Sequence, residues 1–180
     1  MDSYKLIDGV YTYFVTFTLV DWLPIFTKPE PIEIINNSLR FCHDNKQLHI
    51  HAYVTMPSHI HLIVSDENYD NERLGKTLID FRKFTGHKLA DYVDEYPSEM
   101  LAQSISAHSL TDRNRQIWKP GWHAEALSTE KFLTQKVNYI HENPVRKEFV
   151  KLPEHWRHSS AGYWIHGDIP EIPITPFGQA

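Results

Sequence analysis

Between residues 11 and 20 the chain reads YTYFVTFTLV, a run of β-branched and aromatic residues with period-two alternation. That pattern predicts a strand. Residues 21–31 hold Pro24, Pro29 and Pro31 and predict a loop. Ile32, Ile35, Leu39 and Cys42 recur at helical spacing, which predicts a helix over 32–46. Alternation returns over 49–56 and again over 59–65, with Pro57 and Ser58 as the turn between two strands. A polar loop (66–71) leads to a helix over 74–92, with Leu74, Leu78, Phe81, Leu89 and Tyr92 on or near one face. Residues 96–116 show no strong periodicity and read as mostly irregular. A short strand fits 123–127. Ser128 or Thr129 then caps a helix that runs to about Asn143 and stops before Pro144. The remainder, with Pro153, Pro170, Pro173 and Pro176, reads as largely irregular.

Strand, helix, strand, strand, helix, strand is the order of a ferredoxin-like α+β fold, an antiparallel sheet with helices packed on it. A further helix, the one carrying Tyr139, follows that βαββαβ core. The chain of 180 residues reads as one domain over 1–165 with an irregular C-terminal tail over 166–180. There is no internal repeat, low-complexity tract or linker.

Composition removes several classes. No stretch approaches the ~18–20 apolar residues that span a bilayer, so no membrane partner is expected. The start, Met1-Asp2-Ser3-Tyr4-Lys5, lacks the pattern of a secretory signal. The single cysteine, Cys42, excludes an internal disulfide and any multi-cysteine zinc site. These points lead us to expect a cytoplasmic protein. A net charge of −5 argues against coating duplex DNA by bulk charge, but leaves room for a local basic surface.

The candidate chemistry begins with His59-Ile60-His61. Alternate residues of a strand share a face, so the two imidazoles lie side by side, about 6–7 Å apart, while Ile60, Leu62 and Val64 point the other way toward a core. Such a pair can converge on one metal ion or one phosphate. A second pair, His49 and His51, lies on the preceding strand. A two-residue hairpin at Pro57-Ser58 puts the two pairs on opposite faces; a three-residue turn puts them on the same face.

The second constellation is Tyr139-Ile140-His141-Glu142-Asn143-Pro144-Val145-Arg146. On a helix Tyr139 and Asn143, four residues apart, share a face. A helical tyrosine is ordinarily a half-buried structural residue. It becomes a nucleophile where a neighbouring cation or metal stabilises its phenolate.

The run from Tyr53 to Val64 (YVTMPSHIHLIV) resembles the HUH motif of single-tyrosine transposases, which include insertion-sequence and REP-associated tyrosine transposases. The run from Tyr139 to Arg146 resembles that family's nucleophile motif. Trp118 and Trp156-Arg157-His158-Ser159-Ser160 also fit, and the likeness covers roughly residues 10–165. One departure is Glu148, where the family has a small residue. The resemblance implies a ferredoxin-like fold and metal-dependent cleavage and rejoining of single-stranded DNA. It implies Tyr139 as the nucleophile of a 5′-phosphotyrosine link, and His59 and His61 as ligands of Mg²⁺ or Mn²⁺. Asn143 matches the third ligand, with His141 and Glu142 as rivals. It also implies single-stranded or hairpin DNA as partner, with a homodimer as one of the assemblies relatives use.

Basic residues suggest where DNA lies. Lys76, Arg82, Lys83, His87 and Lys88 fall on the helix over 74–92, which the family uses near DNA. Arg113, Arg115, Trp118, Lys119 and Trp122 mix cations with aromatic platforms suited to unpaired bases, and Arg146 follows the tyrosine. Two other readings stand beside the transposase-like one. A domesticated hairpin-binding protein would bind DNA with little catalysis. An unrelated metal hydrolase would act without Tyr139.

Overall fold

A computed structural model describes residues 6–96 and 116–178. Four strands form one antiparallel sheet: β1 (Thr12–Thr18), β2 (Leu48–Met56), β3 (His59–Asp66) and β4 (His123–Ala126), in the order β2-β3-β1-β4. With α1 (Pro29–Lys46) and α2 (Asn71–Glu95) between them, this is the expected ferredoxin-like arrangement. The tyrosine helix, α3 (Glu130–Arg146), follows β4.

The alternation of β1 sorts its side chains between two cores. Tyr13, Val15 and Phe17 join Ile50, Tyr53, Ile60, Leu62 and Val64 under α1 and α2, which contribute Ile35, Leu39, Leu78 and Phe81. Phe14 faces the other way with Ala52, Val54, Met56 and Ile63, and Ile140 of α3 closes that smaller cluster. The sheet is therefore covered by two helices on one face and by α3 on the other. Nearly every residue of β2 and β3 is buried. Such continuous burial arises when both faces of a sheet are packed.

Local chemistry sets the helix ends. Lys28 precedes Pro29 and Pro31 at the start of α1, where the missing proline N–H costs nothing. The Asp70 side chain accepts from the Arg73 N–H at the start of α2, and Thr129 accepts from Phe132 N–H at the start of α3. The expected stop of α3 before Pro144 is not observed. The helix runs on to Arg146 with Pro144 inside its last turn, where only one helical hydrogen bond is forfeited. Glu148, just beyond, has φ 60°, a left-handed conformation that a small residue adopts more easily.

The segment after α3 is more ordered than its prolines suggest. It contains a short helix, α4 (Ala161–His166), and lies along the open edge of β2. Thr55 N–H donates to His158 O at 2.8 Å, Ser160 N–H to Tyr53 O at 3.0 Å and Thr175 N–H to Ile50 O at 2.8 Å. Ile172 is completely buried in the helix-side core. An unpaired edge strand invites association with other chains, and this segment covers it. Residues 97–115, most of the stretch read as irregular, lie outside the described residues. Among the described residues no helix is long and apolar enough to cross a membrane.

Candidate active site

The hairpin at Pro57-Ser58 has two residues, and Met56 pairs with His59. By strict alternation His49 and His51 would then lie across the sheet from His59 and His61. A β-bulge between Ile50 and Ala52 changes this. The extra residue returns His51 to the face of Ser65, whose Oγ is 2.9 Å from His51 Nε2. Both pairs share a face, yet they serve different neighbourhoods. The other nitrogen of His51 is 2.7 Å from the Thr175 carbonyl, and its ring stacks on Phe177. His51 thus belongs to the packing of the C-terminal segment.

His59 and His61 lie at the other end of β3, their ring centres 4.8 Å apart. His61 Nδ1 is 2.8 Å from Thr16 Oγ1 on β1, opposite it in the ladder. Ser58 Oγ is 3.3 Å from His59 Nδ1. In each ring Nδ1 has an oxygen partner, so Nε2 is the nitrogen that would bind a cation. Oxygen partners of this kind orient imidazoles that bind metals. Burial holds His59 neutral, its pKa pushed down to about 4 with help from Lys147. Burial drives His61 down to about 3, with His59, Arg146 and Lys136 adding to the effect. Neutral imidazole is the form that binds a cation.

Tyr139 meets this pair. Its ring centre is 5.4 Å from that of His61 and 5.7 Å from Phe14, both nearly edge-on, and it remains 39% exposed. Arg146 lies over the same ring, 4.4 Å from its centre, and donates to the Tyr139 carbonyl at 2.9 Å. Lys136, one turn before Tyr139, stands 5.7 Å from the tyrosine ring centre and 4.6 Å from that of Phe14. The Glu125 carboxylate on β4 holds it at 2.5 Å. The partly exposed Tyr139 ring thus lies against the His61 imidazole and under the Arg146 guanidinium, with Lys136, paired to Glu125, nearby.

The three rivals for a third ligand separate. His141 is buried, with Nε2 2.9 Å from Ser160 Oγ, so it anchors α3 to the C-terminal segment; burial lowers its pKa to about 4. Glu142 is exposed. Asn143 is 4% exposed, and its Oδ1 is buried without a hydrogen-bond partner. An orphaned buried acceptor costs about 1–3 kcal/mol, and a cation would satisfy it. Among the described residues no group of three or more His, Cys, Asp or Glu side chains is placed to share a metal. The residues that would suit a cation are two imidazoles and an amide, with further oxygen ligands needed to complete its shell.

The basic residues expected to meet DNA are dispersed. Lys76 and Lys83 are exposed on α2, across the sheet from Tyr139. Arg82 donates to the Lys119 carbonyl and so ties α2 to the strand-like segment before β4. Arg146 sits on the tyrosine. Arg113 and Arg115 lie outside the described residues. Trp118 and Trp122, read as platforms, are buried against Phe17 in the helix-side core. Sequence reasoning missed Thr16, Phe14 and Lys136 as neighbours of the site. Phe14 and Thr16 are placed by the β1–β3 register and Lys136 by the sheet face that α3 covers, neither of which alternation alone supplies.

The architecture defines a fold class, a four-stranded ferredoxin-like sheet with a tyrosine-bearing helix across its histidine face. Solved structures share the overall fold. One is a REP-associated tyrosine transposase bound to a REP hairpin, with a TM-score of 0.68 at 19% identity over 99% of this chain and 96% of that one. Another is a Deinococcus radiodurans R1 protein described as a candidate transposase, with a TM-score of 0.50 at 13% identity over 79% of this chain and 97% of that one. No protein-family model and no curated protein matches the chain. At these identities the likeness establishes the fold.

Proposed function

We propose that this chain cleaves and rejoins single-stranded DNA through a covalent Tyr139 intermediate, as a transposase of hairpin-flanked or repeat elements. The observation that carries the reading is the contact of Tyr139 with His61, itself 4.8 Å from His59 on the same sheet face, with the unpartnered Asn143 Oδ1 one turn further along α3. The fold shared with a hairpin-bound transposase supports it. His59, His61 and Asn143 would hold Mg²⁺ or Mn²⁺. That ion, when bound, polarises a phosphate oxygen and stabilises charge that develops on the phosphoryl group.

The chain's own residues do the rest. Tyr139 Oη attacks phosphorus as its proton passes to solvent. The new O–P bond forms as the bond to the 3′ oxygen breaks, and the departing 3′ oxygen takes up a proton. The product is a 5′-phosphotyrosine and a free 3′-hydroxyl. Reversal with another 3′-hydroxyl rejoins the strand without ATP, since the covalent link conserves the phosphodiester's energy. Arg146 and Lys136 supply positive charge where the phosphate must approach.

The test is incubation of the protein with Mn²⁺ and labelled hairpin strands from around its own gene. A protein–DNA adduct resistant to denaturation, and absent from Tyr139→Phe, is the expected result. Tight hairpin binding without adduct would identify a binding protein instead. Metal-dependent nicking that survives Tyr139→Phe would identify a hydrolase.

A further inference from the structure

Trp22 is 56% exposed, beside the buried His59. Its ring stands edge-on to His59 with centres 5.6 Å apart. The Lys119 ammonium lies 4.5 Å from the centre of the same ring. The backbone there is strained. Asp21 has φ 49° and Trp22 φ 56°, two successive residues in the left-handed region. A bulky side chain rarely adopts that conformation. Strain persists only where the surroundings over-determine it, and it gathers at functional sites.

The surroundings do over-determine it. Leu19 N–H donates to Ser58 O at 2.9 Å, tying the loop to the hairpin that carries His59. Val20 N–H donates to Ile117 O at 2.9 Å, and Lys119 N–H to Thr18 O at 2.8 Å, which fixes Lys119 against the same loop. Leu23, Ile25 and Phe26 anchor the exit from the turn in the core. The framework is rigid, yet the indole it holds up is not packed away. Burial of Trp22 therefore does not explain the strain.

We propose that Trp22 is a stacking platform for one unpaired nucleobase of the strand bound at the histidine pair. Lys119 stands over the indole, and with 56% of the residue exposed the ring offers surface to a flat aromatic ligand. Stacking on an aromatic side chain tolerates any base, so Trp22 contributes affinity and register rather than sequence choice. This inference rests on single-stranded DNA being the ligand of the site, and not on Tyr139 being its nucleophile.

The experiment measures binding by fluorescence anisotropy in a Tyr139→Phe background, so that covalent capture cannot intervene. The probe is a fluorescein-labelled DNA hairpin with a short unpaired tail, together with versions abasic at one tail position at a time. Base–aromatic stacking of about 1–3 kcal/mol predicts a loss of roughly 5- to 150-fold in affinity for Trp22→Ala. Trp22→Phe retains most of the affinity. The loss from Trp22→Ala vanishes with one particular abasic position, where the base is already missing. Trp22→Gly relieves the left-handed strain, so it raises the thermal midpoint while lowering affinity; a merely structural tryptophan would lower both. Unchanged affinity in Trp22→Ala, or an equal loss with every abasic tail, overturns the proposal. A chain that forms no Tyr139 adduct but shows Trp22-dependent binding refutes the nucleophile and leaves the platform standing.

Discussion

Lowering the pH from about 7 to about 5 perturbs the buried neutral histidines together. His51, His59 and His141 have pKa values pushed down to about 4, and His61 to about 3, from an ordinary 6.5. Burial is the main cause in each. The unfolded chain takes up these protons as the pH falls through 6.5, whereas the folded chain resists until about 4 or below. Stability is therefore fully present above 6.5 and is lost as the pH falls toward the folded values. One pKa unit corresponds to about 1.4 kcal/mol, so each histidine forfeits about 2 kcal/mol by pH 5. All of them together approach about 8 kcal/mol, an upper bound, against a total of about 5–15 kcal/mol for a typical domain. Asp66 and Glu171, whose pKa values lie below the ordinary 3.8 and 4.5, act at lower pH and do not blur this window. The assay is urea unfolding in metal-free buffer at stepped pH, followed by tryptophan fluorescence. A midpoint that falls steeply between pH 7 and 5 is expected, with a shallower fall in His141→Gln. A midpoint flat over that range refutes the account of these histidines as buried and neutral.

Further outcomes follow from the same geometry. Asn143→Ala lowers Mn²⁺ affinity by about tenfold or more in calorimetric titration, on the scale seen when the shell around a metal is altered; unchanged binding removes Asn143 from the ligand set. Ile172→Ala costs about 2–5 kcal/mol in chemical denaturation, because a fully buried side chain leaves a cavity. A neutral result would show the C-terminal segment to be dispensable to the core.

Strand order and the two sheet faces were legible because the alternation of β1 and β3 is almost unbroken, and only one face of each is wholly hydrophobic. The bulge at His51 was not legible. One inserted residue reverses the face of everything before it and leaves no mark on composition. Pro144 misled for a related reason: a proline in the last helical turn removes one hydrogen bond, which tertiary burial offsets. The C-terminal segment is held to β2 by backbone groups of an irregular chain, and these carry no periodicity. Tyr139, His59, His61 and Asn143 were legible as two motifs. That Tyr139 reaches His61 depends on which face of the sheet α3 covers. Trp22 escaped notice because no sequence pattern announces a tryptophan with positive φ.

The measurement that bears most directly on the central claim is peptide mass spectrometry of protein incubated with Mn²⁺ and a hairpin strand, digested with protease and nuclease. The account predicts a nucleotide joined through its 5′ phosphate to the peptide containing Tyr139, lost on chelation of the metal. A nucleotide on any other residue, or a cleaved strand with no modified peptide, would contradict it.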